Sequence, residues 1–212
     1  MQDRIYGLDT WRAGLLLVGP LIHSAPAVAA DLHLQGELFG GLGRASGLFR
    51  MPVFFFIAGF LASHAGAKQV DWLRRRLVQL GVPMLSCWAL LVLPLQYAKV
   101  SVFAAEGYTP LHLWFLADLI LFSCLFAAPS VSAAVDAACA RFDAKTLLAG
   151  FFLGSGLLSA LRYPIAHVPV DPWTSNFLQA PADAIFYAGG MACQRHAGLF
   201  RLMRSPAVAW AG

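Results

Sequence analysis

Five stretches of this chain run for sixteen or more residues with almost no acid or base: Ala13 to Ala30, Met51 to Ala67, Leu77 to Ala98, Leu111 to Pro129 and Thr146 to Leu161. Histidines and Asp118 are their only ionisable side chains apart from cysteine and tyrosine. A helix crossing a hydrocarbon core of about 30 Å needs roughly 20 mainly apolar residues. A sixth block, about Trp173 to Gln194, has the length but contains Pro181 and Asp183, which are expected to interrupt it. The composition leaves no other home for these blocks. Hydrophobic residues make up 59% and charged residues 12% of the chain, against about 45–50% and roughly 25% in a soluble domain. So little charge cannot cover a water-exposed globule, which excludes disorder, coiled coil and nucleic-acid binding despite a net charge of +4.

The expected fold is therefore all-α: a multi-pass transmembrane bundle of about six complete spans, with Ser205 to Gly212 starting a seventh, in one domain over residues 1–212. Loop charges orient it. With the N-terminus inside, the cytoplasmic side holds Arg4, Arg12, Lys68, Arg74, Arg75, Arg76, Arg141, Lys145, Arg195, Arg201 and Arg204. The other side keeps Arg44, Arg50, Lys99 and Arg162. Eleven against four is the asymmetry of the positive-inside rule. The first block also resembles a secretory signal peptide, but Gly19-Pro20 and His23 break its apolar region, so a retained helix is expected.

Several signals are bland. Cys87, Cys124, Cys139 and Cys193 form no Cys-x-x-Cys pair and no cluster with histidine, so neither a disulfide framework nor a zinc site is indicated. Gly36 to Gly47 lacks the ending of a phosphate loop. Gly154-Ser155-Gly156 has the wrong spacing for a nucleophile elbow.

Ionisable groups inside a bilayer are costly and mark functional candidates. The sharpest pair is Arg12 and His23. Eleven residues at 100° each put both on one helix face, about 16 Å apart along the axis. Arg12 then sits at the cytoplasmic headgroups and His23 near mid-membrane. That arrangement suits acyl transfer: a cytosolic acyl-coenzyme A leaves its phosphates with arginines and sends its thioester inward. There an imidazole takes the proton of an acceptor hydroxyl or carries the acyl group itself. Spacing alone favours the plainer reading, a topology anchor at Arg12 and a histidine that packs against a neighbouring helix.

Four motifs add to the reading. They are Leu8-Asp9-Thr10-Trp11-Arg12 followed by His23; Phe49-Arg50-Met51-Pro52-Val53-Phe54-Phe55-Phe56; Trp72-Leu73-Arg74-Arg75-Arg76 with Pro83; and His112-Leu113-Trp114-Phe115-Leu116. In this order they resemble the opening of the acyltransferase-3 family of integral membrane O-acyltransferases. The second motif is most similar to the branch of succinyltransferases that modify periplasmic glucans. The resemblance implies a fold of about ten transmembrane helices, of which this chain would be an N-terminal portion. It implies O-acylation of an extracytoplasmic glycan or similar hydroxyl from acetyl- or succinyl-coenzyme A as co-substrate, in a bacterial inner membrane, with no tightly bound cofactor and no metal. His23 and Arg12 carry over as the catalytic pair. The family's Arg-x-x-Arg does not carry over cleanly, since Gln79 lies three beyond Arg76; Arg74, Arg75 and Arg76 remain candidates for the coenzyme phosphates and for setting topology. Arg50, His112, Trp114 and Asp9 are expected on the acceptor side or as structural support; Asp118 is a candidate partner for Arg50, a pairing the sequence leaves open. Membrane lipids, acyl-coenzyme A and a glycan acceptor are the expected partners. A proton-coupled transporter using Arg12, His23 and Asp118, or an inactive fragment of a membrane protein, competes with this reading.

Overall fold

The computed structural model describes residues 51–63, 69–98, 113–166 and 172–203, together with Gly14. Among them every regular element is a helix: α1 Met51–Ala62, α2 Gln69–Cys87, a π-helical turn Trp88–Val92, α3 Leu93–Tyr97, α4 Trp114–Ala127, α5 Pro129–Arg141, α6 Ala144–Ala166, α7 Pro172–Arg195 and α8 Ala197–Met203. The expected all-α class is what the described residues adopt. Among the described residues two stretches are long and apolar enough to cross a membrane, Val70–Leu95 and Ala144–Leu161, and a third if α4 and α5 count as one bent span. The block from Ala13 to Ala30 lies outside the described residues apart from Gly14, and Ser205 to Gly212 lies wholly outside them.

Prolines explain the departures from straight spans. Pro94 brings no N–H to the carbonyl of Leu90 and its ring crowds that oxygen. The helix relieves this by widening to a π turn, in which Leu93 N–H bonds the Trp88 carbonyl five residues back. The block expected to end at Pro129 does end there. Ala128, pushed to extended geometry (φ −64°, ψ 129°) as residues before proline are, lets α5 leave α4 at 76°. Leu111 to Pro129 therefore supplies a helix of only 14 residues, and the alanine-rich segment beyond it, which the apolar blocks leave unassigned, is helix α5. Pro181 and Asp183, expected to interrupt the sixth block, do not: α7 runs through both for 24 residues. Pro181 is exposed while Ala180, Ala182 and Asp183 on either side are buried, so tertiary packing holds the helix across the missing hydrogen bond.

Helix α7 is the hub, packing on α4, α5, α6 and α8. It also crosses α1 at backbone contact. A Cβ on Gly59 would overlap the Tyr187 carbonyl, and one on Gly190 would overlap the Phe56 carbonyl. Small residues at such crossings are how membrane helices approach closely. Around the crossing, Phe55, Ala58, Leu80, Leu119, Phe122, Tyr187 and Met191 form one core shared by α1, α2, α4 and α7. Phe60, Cys193 and Leu199 form a second, shared by α1, α7 and α8 and flanked by Leu147 and Leu148 of α6. Phe152, Leu153 and Leu157 of α6, Val78 and Val82 of α2 and Leu90 and Leu91 of the π turn stay exposed, as a lipid-facing surface requires.

Arg74, Arg75, Arg76, Arg141, Lys145, Arg195 and Arg201 gather toward one end of this bundle, where α1, α4 and α7 finish and α2 and α6 start. Arg162 lies toward the opposite end of α6. The cluster follows the division of charge read from the loops.

Candidate functional site

Residues at the basic end build a cavity of about 270 Å³, walled by Ala62, Trp72, Phe126, Ala127 and Met191 and edged by Ser63, Ser132, Asp136 and Arg195. Its floor is Ser123 and Tyr187, both completely buried. At 1.5 Å per residue Tyr187 lies about 12 Å along α7 from Arg195.

Arg195, the last residue of α7, ties three helix segments together. Its Nε donates to Ser63 Oγ (2.8 Å), one terminal nitrogen to the Ser132 carbonyl (3.1 Å) and Asp136 Oδ1 (2.9 Å), and the other to Ser132 Oγ (3.0 Å). The guanidinium is a planar fork of five donors, and four bonds to α1's last turn and α5 use it well. Asp136 is largely solvent-exposed, so the ion pair itself adds little; the value of the cluster is positional. It works because Ser132 and Asp136, four apart on α5, share a face.

Tyr187 is fixed by rings. Phe126 stacks on it at 5.1 Å and Phe122 lies tilted at 5.8 Å. Its hydroxyl and that of Ser123 are neighbours, with the positive charge of Arg76 nearby, and both oxygens are sealed from solvent.

The three arginines read as one cluster divide. Arg74 and Arg75 are exposed and line an open depression with Asp71, Val78 and Gln79. Arg76, one residue on, is half-buried and turns inward toward the cavity floor. Trp114 starts α4, thirteen residues and so about 20 Å from Ala127 at the cavity; it packs against the main core and is not part of this site. Asp118 and Asp183 are buried inside the bundle, one turn from the layer of Phe122 and Tyr187. Asp9, Arg12, His23, Arg50 and His112 lie outside the described residues, as does the pairing of Arg50 with Asp118.

Sequence reasoning passed over Ser63, Ser123, Ser132, Asp136 and Tyr187, and counted Arg195 only as a topology charge. A signal was present: Ser132 and Asp136 at helical spacing, followed by the basic residue that closes an apolar block.

The acyltransferase-3 family model, described as "Acyltransferase domain", matches residues 5–212. Glucans biosynthesis protein C of Escherichia coli K12 is 32% identical over 149 residues, which cover 58% of this chain and 38% of that protein. Proteins of the same name from Salmonella typhi and Salmonella typhimurium are 32% identical over 144 residues, 56% of this chain and 37% of theirs. The chain thus spans well under half the length of these relatives. No solved structure matches it.

Proposed function

This chain belongs to the acyltransferase-3 family, and from that premise we propose that it is an inner-membrane O-acyltransferase moving an acyl group from cytosolic acyl-coenzyme A to a hydroxyl of an extracytoplasmic glycan. The relatives' name, which concerns glucans, favours a glucan as the acceptor. The observation that carries the reading is the cavity at the basic end of the bundle, with exposed Arg74 and Arg75 on the neighbouring face and buried hydroxyls at its floor.

In this reading the chain crosses the membrane six times with its N-terminus in the cytoplasm, and the basic end faces the cytoplasm. Arg74 and Arg75, exposed cations at the headgroups, take the phosphates of the coenzyme; Arg12 supplements them. The acyl end descends beside Trp72. His23 removes the proton of the acceptor hydroxyl as it attacks, or relays the acyl group. Arg50, Asp9, His112 and Trp114 belong to the acceptor side or support it. The test is acylation of periplasmic glucan in cells carrying the full-length protein with His23→Ala. Loss of acylation at unchanged protein level supports the assignment; undiminished acylation refutes it.

A further inference from the structure

A second face of α7 carries small residues. Ile185, Ala188, Gly189 and Ala192 recur at i, i+3, i+4 and i+7 and so form a stripe distinct from that of Tyr187, Met191 and Arg195. With Ala138 of α5 and Leu147 of α6 they line a groove of about 610 Å³, which follows α7 from Ile185 to Cys193 for about 12 Å. The ring of Phe151 rests on bare Gly189, where a Cβ would strike it. Ala188, Gly189 and Ala192 are only half-buried, so the groove is open from the side. Its one side-chain hydroxyl, that of Thr146, bonds Asp143, which leaves walls that offer water few partners. Spread over ~12 Å, the volume averages about 50 Å² across, less than the ~80 Å² of a helix at least 10 Å in diameter. The space is too narrow for another helix and wide enough for an alkyl chain.

The mouth of the groove at the basic end is charged. Phe142 and Thr146 line it, and the residues beside them, Arg141 and Lys145, are both exposed. The Arg141 guanidinium stands 5.7 Å over the Phe142 ring, which keeps that cation at the opening. The acid between them, Asp143, accepts a bond from Thr146 N–H (3.1 Å) and is occupied in capping α6. Two cations at the end of an apolar slot match an amphiphile with an anionic head and an alkyl tail. We infer that the groove binds one anionic diacyl phospholipid, with its phosphate at Arg141 and Lys145 and an acyl chain along Ile185, Ala188 and Ala192. Bilayer tails are as apolar as these walls, so the chain supplies fit and the headgroup supplies preference. Each basic residue near the headgroups multiplies the preference for anionic lipid about fivefold, and the two together give on the order of 25-fold. The inference needs α6 and α7 to lie in a bilayer and is independent of acyl transfer.

The experiment titrates delipidated full-length protein in detergent with dioleoyl phosphatidylglycerol or dioleoyl phosphatidylcholine and reads bound lipid by native mass spectrometry. Wild type is expected to hold one phosphatidylglycerol per chain, on the order of 25-fold tighter than phosphatidylcholine. Arg141→Ala with Lys145→Ala, a change at two exposed positions that leaves the packing intact, is expected to bring the two lipids within about threefold of one another. Ala192→Leu, which fills the groove, is expected to weaken both lipids alike and leave their ratio unchanged. A wild type that binds the two lipids equally, or a double variant that keeps the preference, overturns the inference. So does a full-length protein that holds no lipid, the result expected where a further segment of the longer protein covers the groove. None of these outcomes bears on the acyltransferase reading, because lipid mass is read without turnover.

Discussion

Replacing Gly59 or Gly190 with alanine is expected to separate α1 from α7, whereas Gly150→Ala is not. At Gly59 the added methyl would meet the carbonyl oxygen, carbonyl carbon and Cα of Tyr187; at Gly190 it would meet the Phe56 carbonyl group and the Phe60 nitrogen. All of these are backbone atoms, which cannot rotate aside as a side chain does. Comfortable carbon–oxygen contact in such crossings needs about 3.3–3.6 Å, so the helices must part by about an ångström or more. A gap of 0.5–1 Å already forfeits about a quarter to a half of each contact's attraction. The cost belongs at the upper end of the overpacking range, about 3 kcal/mol, partly offset by at most about 1 kcal/mol from removing glycine from a helix. A net loss of about 2 kcal/mol per substitution follows. Gly150 has nothing within 4 Å of its Cβ position, so alanine there is neutral or stabilising by up to about 1 kcal/mol. The two glycines serve one crossing, so the double variant loses less than the sum of the singles. Detergent-driven unfolding of the purified full-length protein measures all four variants. If Gly59→Ala and Gly190→Ala unfold at the same midpoint as Gly150→Ala, the close crossing is refuted.

Arg195→Met removes four hydrogen bonds and leaves Ser63 and Ser132 without their shared donor, an expected loss of about 2–4 kcal/mol; Arg195→Lys, a point charge without the fork, recovers less than half of it in thermal unfolding. Arg74→Ala with Arg75→Ala raises the KM for acyl-coenzyme A without lowering kcat, and the difference from wild type shrinks as salt rises; an unchanged KM at low salt removes the phosphate role. Asp143 accepts a bond from Thr146 N–H (3.1 Å) at the start of α6. The Thr146 side chain and backbone hold its carboxyl below the usual aspartate range. A lowered folded value means the cap is fully present above the unfolded value of about 3.9 and is lost as pH falls through the folded one. The protection of the Thr146 amide, its exchange rate relative to the intrinsic rate at the same pH, should therefore fall on acidification below that point, and Asp143→Asn should abolish the dependence.

What could be read from the sequence is what hydropathy and charge record. Apolar blocks at Leu77 to Ala98 and Thr146 to Leu161 became helices of membrane length, and basic residues gathered at one end, because both properties act residue by residue. Helix α5 was missed because its alanines and serines carry no apolar periodicity, only helix propensity. The cavity was illegible for a different reason. Ser63, Ser132 and Arg195 lie 69 and 63 positions apart in the chain, and only the packing of α1 and α5 on α7 makes them one site. Tyr187 read as one more aromatic in an apolar run, since burial of its ring hides its single polar atom. The glycines at 59 and 190 were visible as small residues, but which backbone each one faces is tertiary information.

The same helix sets both the crossing and the cavity. Asp183, Tyr187, Met191 and Arg195 recur every four residues along α7, with Gly190 three beyond Tyr187, and so share one stripe. Gly190 brings that stripe against α1, and five residues later Arg195 locks α7's end to α1 through Ser63. Between these two fixed points α4 would continue past Ala127 and close the volume, but Pro129 turns the chain by 76° and α5 takes Ser132 and Asp136 outward to the rim. The opening is thus a consequence of one proline, and its depth of one arginine and one pair of glycines. Loosening the crossing should therefore disturb the floor residue Tyr187 more than the rim, because Tyr187 contributes the carbonyl on which Gly59 rests, whereas the Arg195 fork can follow Ser63 through small rotations.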